Sequence, residues 1–299
     1  MGDHKAEYTI REHVASDGYR WRYRHYAPAC PPKAHIVCIH GIQSHGGWYE
    51  GSCEHLRCAG YQVSFLDRRG AGLNFESRGD APSFRRLLDD VAEFIQHLRG
   101  AGAATCPVVL LAISWGGKLA CGLARRSPGL VAGFALLCPG IVPRVRPAFR
   151  HRFMIAATRL LAPRKLFPIP LSDPDLFTVT PRWQKFIEED ALGLREITAR
   201  LAIESVRLDY YLRLFPPQVR CPVLLLLAGK DQIIHNERTR RYVEQIALGE
   251  KDVIEYPEAH HTLEFEPDGD QFIRDLESWL GRRVLGPSHS SMPPGSGTV

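Results

Sequence analysis

The chain has 299 residues, of which 44% are hydrophobic and 24% charged. That length fits one large α/β domain or two small ones, and the composition excludes a mainly disordered protein and a coiled coil. A formal charge of +5 is too small over this length to imply nucleic acid by itself.

The opening alternates between apolar and polar residues. Tyr8, Ile10 and His13 predict one strand and Tyr19, Trp21 and Tyr23 the next, joined by a Ser16-Asp17-Gly18 turn. Ala34 to His40 is a buried strand that ends in Gly41. A helix from about Trp48 to Ala59 leads to a strand over Tyr61 to Leu66. Leu87, Leu88, Val91, Phe94, Ile95 and Leu98 recur at helical spacing, which predicts a helix over Ser83 to Arg99. Pro107 to Ile113 is again an apolar strand, followed by a helix from Trp115 to about Arg126. Leu130 to Leu137 is the next buried strand. Strands that alternate with helices and are apolar throughout indicate a mostly parallel sheet covered by helices on both faces.

The rhythm stops at Pro139-Gly140. From residue 141 to 215 the sequence is helix-like, interrupted by prolines, and holds no convincing strand. The β/α rhythm resumes with a strand from Pro222 to Ala228, a helix near Glu237 to Ala247, a short strand over Asp252 to Tyr256 and a last helix from about Gly269 to Leu280. One α/β core over 1–140 and 216–285 with a helical insertion over 141–215 is therefore expected. The Gly-, Pro- and Ser-rich tail, 286–299, is expected to be disordered. No run of about 18 apolar residues could span a membrane, and Met1 to Arg24 hold no apolar block of a secretory leader. The eight cysteines form no C-x-x-C pair, which argues against a ribbon-type zinc site and points to a reduced, cytoplasmic compartment.

Four places carry residues fit for chemistry. In Val109-Leu-Leu-Ala-Ile-Ser114-Trp-Gly-Gly, a buried strand runs directly into a helix with Ser114 at the junction. Small residues flank it, Ala112 two before and Gly116 two after. A strained nucleophile turn needs that, because larger side chains clash where strand and helix meet. The same serine could merely cap the helix. His40-Gly41-Ile42, at the end of an earlier strand, can present a backbone N–H to an oxyanion or can be a plain Gly-rich turn. Asp231 follows the strand ending at Ala228, where ligands of open α/β sheets lie and where a carboxylate can orient a histidine. His260-His261 follows the strand ending at Tyr256, and a loop histidine there can act as a general base. Individually each has a bland reading as a turn or a solvated loop. Their order, Ser then Asp then His at the ends of successive strands, is the chain order of a hydrolase triad.

At these motifs the sequence resembles the α/β-hydrolase superfamily, and within it the monoacylglycerol lipase or lysophospholipase-like serine hydrolases. The resemblance runs from about Tyr8 to Leu280. It rests on His40-Gly41-Ile42 with Ser44-His45-Gly46 and Trp48-Tyr49, on Asp67 to Gly72, on Ala112 to Gly117, on Ala228 to Asp231 and on Ala259-His260-His261-Thr262-Leu263. It implies Ser114 as nucleophile, Asp231 as acid and His261, rather than His260, as base. The backbone N–H groups of Ile42 and Trp115 are the implied oxyanion donors. Ala112 stands where the family usually has glycine, and Asn74 where relatives often carry serine. The implied activity is hydrolysis of carboxylic esters, of medium or long acyl chains, through an acyl-enzyme, with a small-molecule acyl ester as the partner and no metal or cofactor. Acyl transfer or thioester hydrolysis on the same triad, and a non-catalytic hydrolase-like binding protein, remain alternatives.

The insertion is implied to cap the site. Between Ile141 and Ser172 it holds seven basic residues and no acidic one, interspersed with Phe149, Phe153, Met154, Ile155, Leu160 and Leu161. Such a stretch suits weak peripheral contact with an anionic membrane or guidance of an anionic substrate. The prolines in it favour a cap helix whose apolar face lines an acyl pocket and whose basic face is solvated.

Overall fold

The computed structural model describes residues 6–100 and 106–286. The tail expected to be disordered lies, from residue 287 on, outside the described residues. Strands β1 (Thr9–Val14) and β2 (Arg20–Tyr26) form an antiparallel hairpin. Gly18, at φ 82°, occupies the left-handed position of its turn, which a side chain would strain. Then come β3 (His35–Ile39), α1 (Glu50–Cys58), β4 (Gln62–Leu66), α2 (Phe84–Gly100), β5 (Val108–Ile113), α3 (Gly116–Arg126) and β6 (Gly133–Leu137). The sixth strand is shorter than its apolar run suggests, because Leu130 closes a turn on Ser127.

Residues 141–215 contribute α4 (Phe149–Leu161), β7 (Leu166–Pro168), α5 (Pro181–Glu189), β8 (Glu196–Thr198) and α6 (Ala199–Leu214). The expectation of no strand here is corrected: β7 and β8 pair antiparallel, Phe167 opposite Ile197. Three residues are too few to show a period-2 pattern, and a proline inside β7 disguises it further. The chain ends with β9 (Val223–Ala228), α7 (Asn236–Ile246), β10 (Lys251–Tyr256) and α8 (Asp270–Trp279).

Eight strands form one sheet in the order β1-β2-β4-β3-β5-β6-β9-β10. The pairs from β4 to β10 are parallel, and β2 joins β4 antiparallel. Helix α1 packs on α8 and α2 on α3, and helices cover both faces of the sheet. Every residue of β3, β5, β6 and β9 is buried, as strands covered on two sides must be. Truncating one of them, Leu110 for example, would leave a cavity under the site at a cost of about 2–5 kcal/mol.

The 141–215 segment rests on the sheet's helices through α6, which touches α2 and α3. Polar contacts fix the seat. The Glu204 carboxylate accepts the Phe84 N–H at 3.1 Å, at the N-terminus of α2 where negative charge is favoured. Buried Asp80 accepts from Thr198 Oγ1 at 2.7 Å and from Arg200 Nε at 3.0 Å.

Helix α4 is turned the other way from the sequence expectation. Its buried residue is Ile155, packed on Phe167, Ala199, Ala202 and Ile203. The residues expected to line a pocket instead face solvent, Phe149 81%, Phe153 69%, Met154 46%, Leu160 84% and Leu161 90% exposed. The inward seam runs through His151, Ile155, Thr158 and Arg159, a helical stripe that is mostly polar. Apolar spacing alone identified the helix and misassigned its face.

Candidate active site

The site is built where three strands end. At the end of β5, Ser114 adopts φ 51°, a left-handed backbone that non-glycine residues adopt only under local strain. Its carbonyl accepts the N–H of Gly117 at 2.9 Å and of Gly140 at 2.6 Å, and its own N–H donates to Leu137 O at 2.9 Å. The turn needs small neighbours. A Cβ on Gly116 would lie 2.8 Å from the carbonyl oxygens of Ile39 and His40. Ala112, by contrast, sits inside β5 with its methyl fully buried, so the usual glycine is dispensable there.

Asp231 and His261 come from the loops after β9 and β10. Nδ1 of His261 donates to Asp231 Oδ2 at 2.7 Å, and Nε2 lies 2.8 Å from Ser114 Oγ. Because a carboxylate only accepts, the ring proton sits on Nδ1 and Nε2 is left to accept the serine proton. The other carboxylate oxygen of Asp231 accepts the N–H groups of Ile233 and Ile234, at 2.7 and 3.0 Å. Asp231, His261 and their contact are buried. His260 points elsewhere, with its N–H and Nδ1 on Glu266 Oε1 at 2.9 and 3.2 Å.

Ile42 and Trp115 stand on either side of the serine. Gly41 packs so closely that an added Cβ would lie 3.1 Å from Ser114 Cβ. The Ile42 and Trp115 N–H groups have no protein acceptor among the described residues. The loop that carries Ile42 is held by its carbonyls. Arg68 donates to Gly41 O at 3.1 Å and to Ile42 O at 2.8 Å, and lies 4.9 Å from the Trp115 ring centroid. His40 Nδ1 donates to Gly41 O at 2.8 Å while its Nε2 accepts the Arg68 N–H at 2.9 Å. Complete burial holds the His40 ring well below the usual imidazole range, with Arg68 acting in the same direction, so the ring stays neutral and keeps both bonds.

Sequence reasoning missed two groups here. Cys138, at φ 39° after β6, lies beside Asp231 and His261, and its thiol is pushed far up by burial and by the Asp231 charge. A thiol held protonated in this way is a poor nucleophile. The other is Asp190, which reaches from the 141–215 segment to the Ile42 loop. Its carboxylate accepts from His45 Nε2 at 3.0 Å, from Trp48 Nε1 at 2.7 Å and from the Leu192 N–H at 2.9 Å. The Gly47 N–H donates to His45 Nδ1 at 3.0 Å, which places the ring proton on Nε2. Burial raises the Asp190 carboxyl, but the hydrogen bonds from His45, Trp48 and Leu192 outweigh it and leave it at about 2. The Ser44-His45-Gly46 and Trp48 signature was visible in the sequence, but its partner lies about 140 residues away and no local pattern marks it.

A pocket of about 430 Å³ opens over Ser114. Ile42, Trp115 and Ile233 line its floor, and Ile155, Ile169, Leu171, Ile203 and Val206 come from the 141–215 segment. The indole N–H of Trp115 donates to Ser205 Oγ at 2.9 Å, tying the serine turn to α6. Apolar walls around a few polar groups are what a small acyl ligand requires.

Residues 30–268 match the family model described as serine aminopeptidase, S33. A monoacylglycerol lipase of Mycolicibacterium smegmatis is 26% identical over 275 residues, covering 88% of this chain and 93% of that protein. Human monoglyceride lipase is 24% identical over 291 residues, covering 94% and 93%. Among solved structures, a soluble variant of monoglyceride lipase from Saccharomyces cerevisiae in complex with a substrate analogue is similar with a TM-score of 0.82. The sequence identity is 17%, over 94% of this chain and 98% of that one. A monoacylglycerol lipase from Paleococcus ferrophilus gives 0.77 at 23% identity, over 91% and 98%. At these identities the structures establish the α/β-hydrolase fold.

Proposed function

The chain belongs to the serine aminopeptidase S33 family of hydrolases, and from that premise we propose that it hydrolyses carboxylic esters of medium or long acyl chains, of monoacylglycerol or lysophospholipid kind, through an acyl-enzyme on Ser114. One observation carries the reading: Ser114 Oγ, on a strained turn, lies 2.8 Å from His261 Nε2, whose Nδ1 lies 2.7 Å from Asp231.

The steps follow from these contacts. His261 Nε2 takes the hydroxyl proton as Ser114 Oγ attacks the ester carbonyl. Asp231 holds the imidazole in the required tautomer and stabilises the imidazolium. The free N–H groups of Ile42 and Trp115 receive the oxyanion, a contribution of about 2.7–4 kcal/mol per donor in comparable sites. His261 then protonates the departing alcohol, and water repeats the sequence on the acyl-enzyme. No step calls for a metal or cofactor.

An ester fits the pocket better than a peptide N-terminus does. A free ammonium needs an unpaired carboxylate nearby. The one acid lining the pocket, Asp209, lies 2.6 Å from Lys118 Nζ and is already matched. The 141–215 segment then acts as the cap that supplies the apolar walls. The outward aromatic face of α4, with exposed Arg150 beside Phe149 and Phe153, suits weak peripheral contact with an anionic bilayer. Eight free thiols fit a reducing compartment such as the cytoplasm.

The test is a panel of acyl esters of increasing chain length, run on wild type and Ser114→Ala. Turnover that rises from acetyl to octanoyl esters and vanishes in the variant is the expected result. Turnover by the variant at the wild-type rate would overturn the assignment.

A further inference from the structure

Five charged side chains line the pocket over Ser114: Lys118, Arg146, Arg152, Asp209 and Arg213. Lys118 and Asp209 neutralise each other across 2.6 Å, with side chains only 6% and 19% exposed. That leaves three arginines. Within 4.0 Å of them there is no carboxylate among the described residues. They do not belong to one solvated helix face, because they come from three separate segments. Arg146 is in the loop after β6, Arg152 on α4 and Arg213 on α6. All three are exposed at the mouth, and Arg213 lies 5.8 Å from the Tyr210 ring centroid, itself part of the lining. Deeper in, Ile155, Leu171 and Ile203 make the wall apolar.

Polarity thus grades from an apolar interior to a purely cationic mouth. A neutral glycerol headgroup would not need three guanidinium groups without counter-charges. A phosphate would use them, because the planar guanidinium fork matches its oxygens bidentately. We propose that the mouth recognises a phosphate on the alcohol part of the ester, so that the preferred substrate is an acyl ester of a phosphorylated alcohol rather than a neutral monoacylglycerol. The inference rests on the reading that this pocket holds the ester. Exposed charge pairs each give only a few-fold, so three together give roughly tenfold in kcat/KM.

The experiment compares octanoylglycerol with octanoylglycerol phosphate, both below their micellar concentrations so that no lipid surface is present. Wild type should favour the phosphate ester by roughly tenfold, and added salt should erode the preference. Replacing Arg146, Arg152 and Arg213 together by Gln should bring the ratio of the two kcat/KM values to near one. Replacement of the same three by Lys, which keeps the charge but not the fork, should leave a preference between those of wild type and the Gln variant. A wild-type ratio at or below one, or a ratio the Gln variant leaves unchanged, would overturn the inference while leaving the esterase reading in place. A charge effect that appears only with anionic vesicles would assign the arginines to a bilayer and overturn it as well. Inactivity of wild type on both esters would remove the functional reading, and this inference with it.

Discussion

Ser114 illustrates how one residue can be read from sequence. A buried strand that runs without pause into a helix leaves a single junction residue, and the small side chains around it have a purely steric reason, visible as the 2.8 Å approach to Gly116. Ser114→Ala removes only the hydroxyl, so hydrolysis should be abolished while thermal stability stays near wild type; retained turnover would contradict the assignment. The His260-His261 pair could be separated from sequence only through family resemblance. In the structure the two rings have different partners, Glu266 for one and Asp231 with Ser114 for the other. His261→Ala should lose a factor of about 10³ or more in kcat, and His260→Ala far less. The larger loss in the His260 variant would mean that the base is the wrong one of the pair. Asp190 was invisible at this scale, because its three hydrogen bonds come from side chains and a loop that only the tertiary fold assembles.

Among the elements, the sheet was legible and the insertion was not. Continuous apolar runs such as Val108–Ile113 have one explanation, burial on both faces. In α4 the apolar residues were read as the inward side, whereas only Ile155 among them is buried, against α6 and β7, and the aromatic face looks out. Periodicity locates a stripe on a helix but does not say what covers it. One contact that fastens this segment to the Ile42 loop is the buried Asp190, whose side chain is 6% exposed. Its folded value, about 2, lies below that of a free carboxyl. Its stabilising contribution is therefore complete above about pH 4 and drains away as pH falls towards 2, by roughly 2 kcal/mol in all. Asp190→Asn should be less stable than wild type near neutral pH, with a gap that narrows below about pH 4. Urea titrations at several pH values measure this, and a gap that stayed constant into acid would show that the carboxylate's charge plays no part.

For the whole molecule, the alternation of strands and helices predicted a mostly parallel sheet covered on both faces, the resemblance at the motifs implied the α/β-hydrolase architecture, and similar solved structures share it. What the sequence could not supply was the shape and charge of the pocket, since its walls come from segments far apart in the chain. That pocket argues for long substrates, because each buried methylene adds up to about 0.8 kcal/mol until the space is full. An octanoyl ester should therefore outpace an acetyl ester severalfold or more in kcat/KM, and a preference for acetate would contradict an acyl pocket. The outward face of α4 predicts co-sedimentation with anionic vesicles at low salt that weakens as salt is added. Equal binding to neutral vesicles would leave those residues as plain surface. The most direct test of the account is covalent. A fluorophosphonate probe, followed by peptide mass spectrometry, should place one adduct on Ser114, with none on the Ser114→Ala protein. An unlabelled wild type, or equal labelling of the variant at another residue, would contradict an acyl-enzyme at the end of β5.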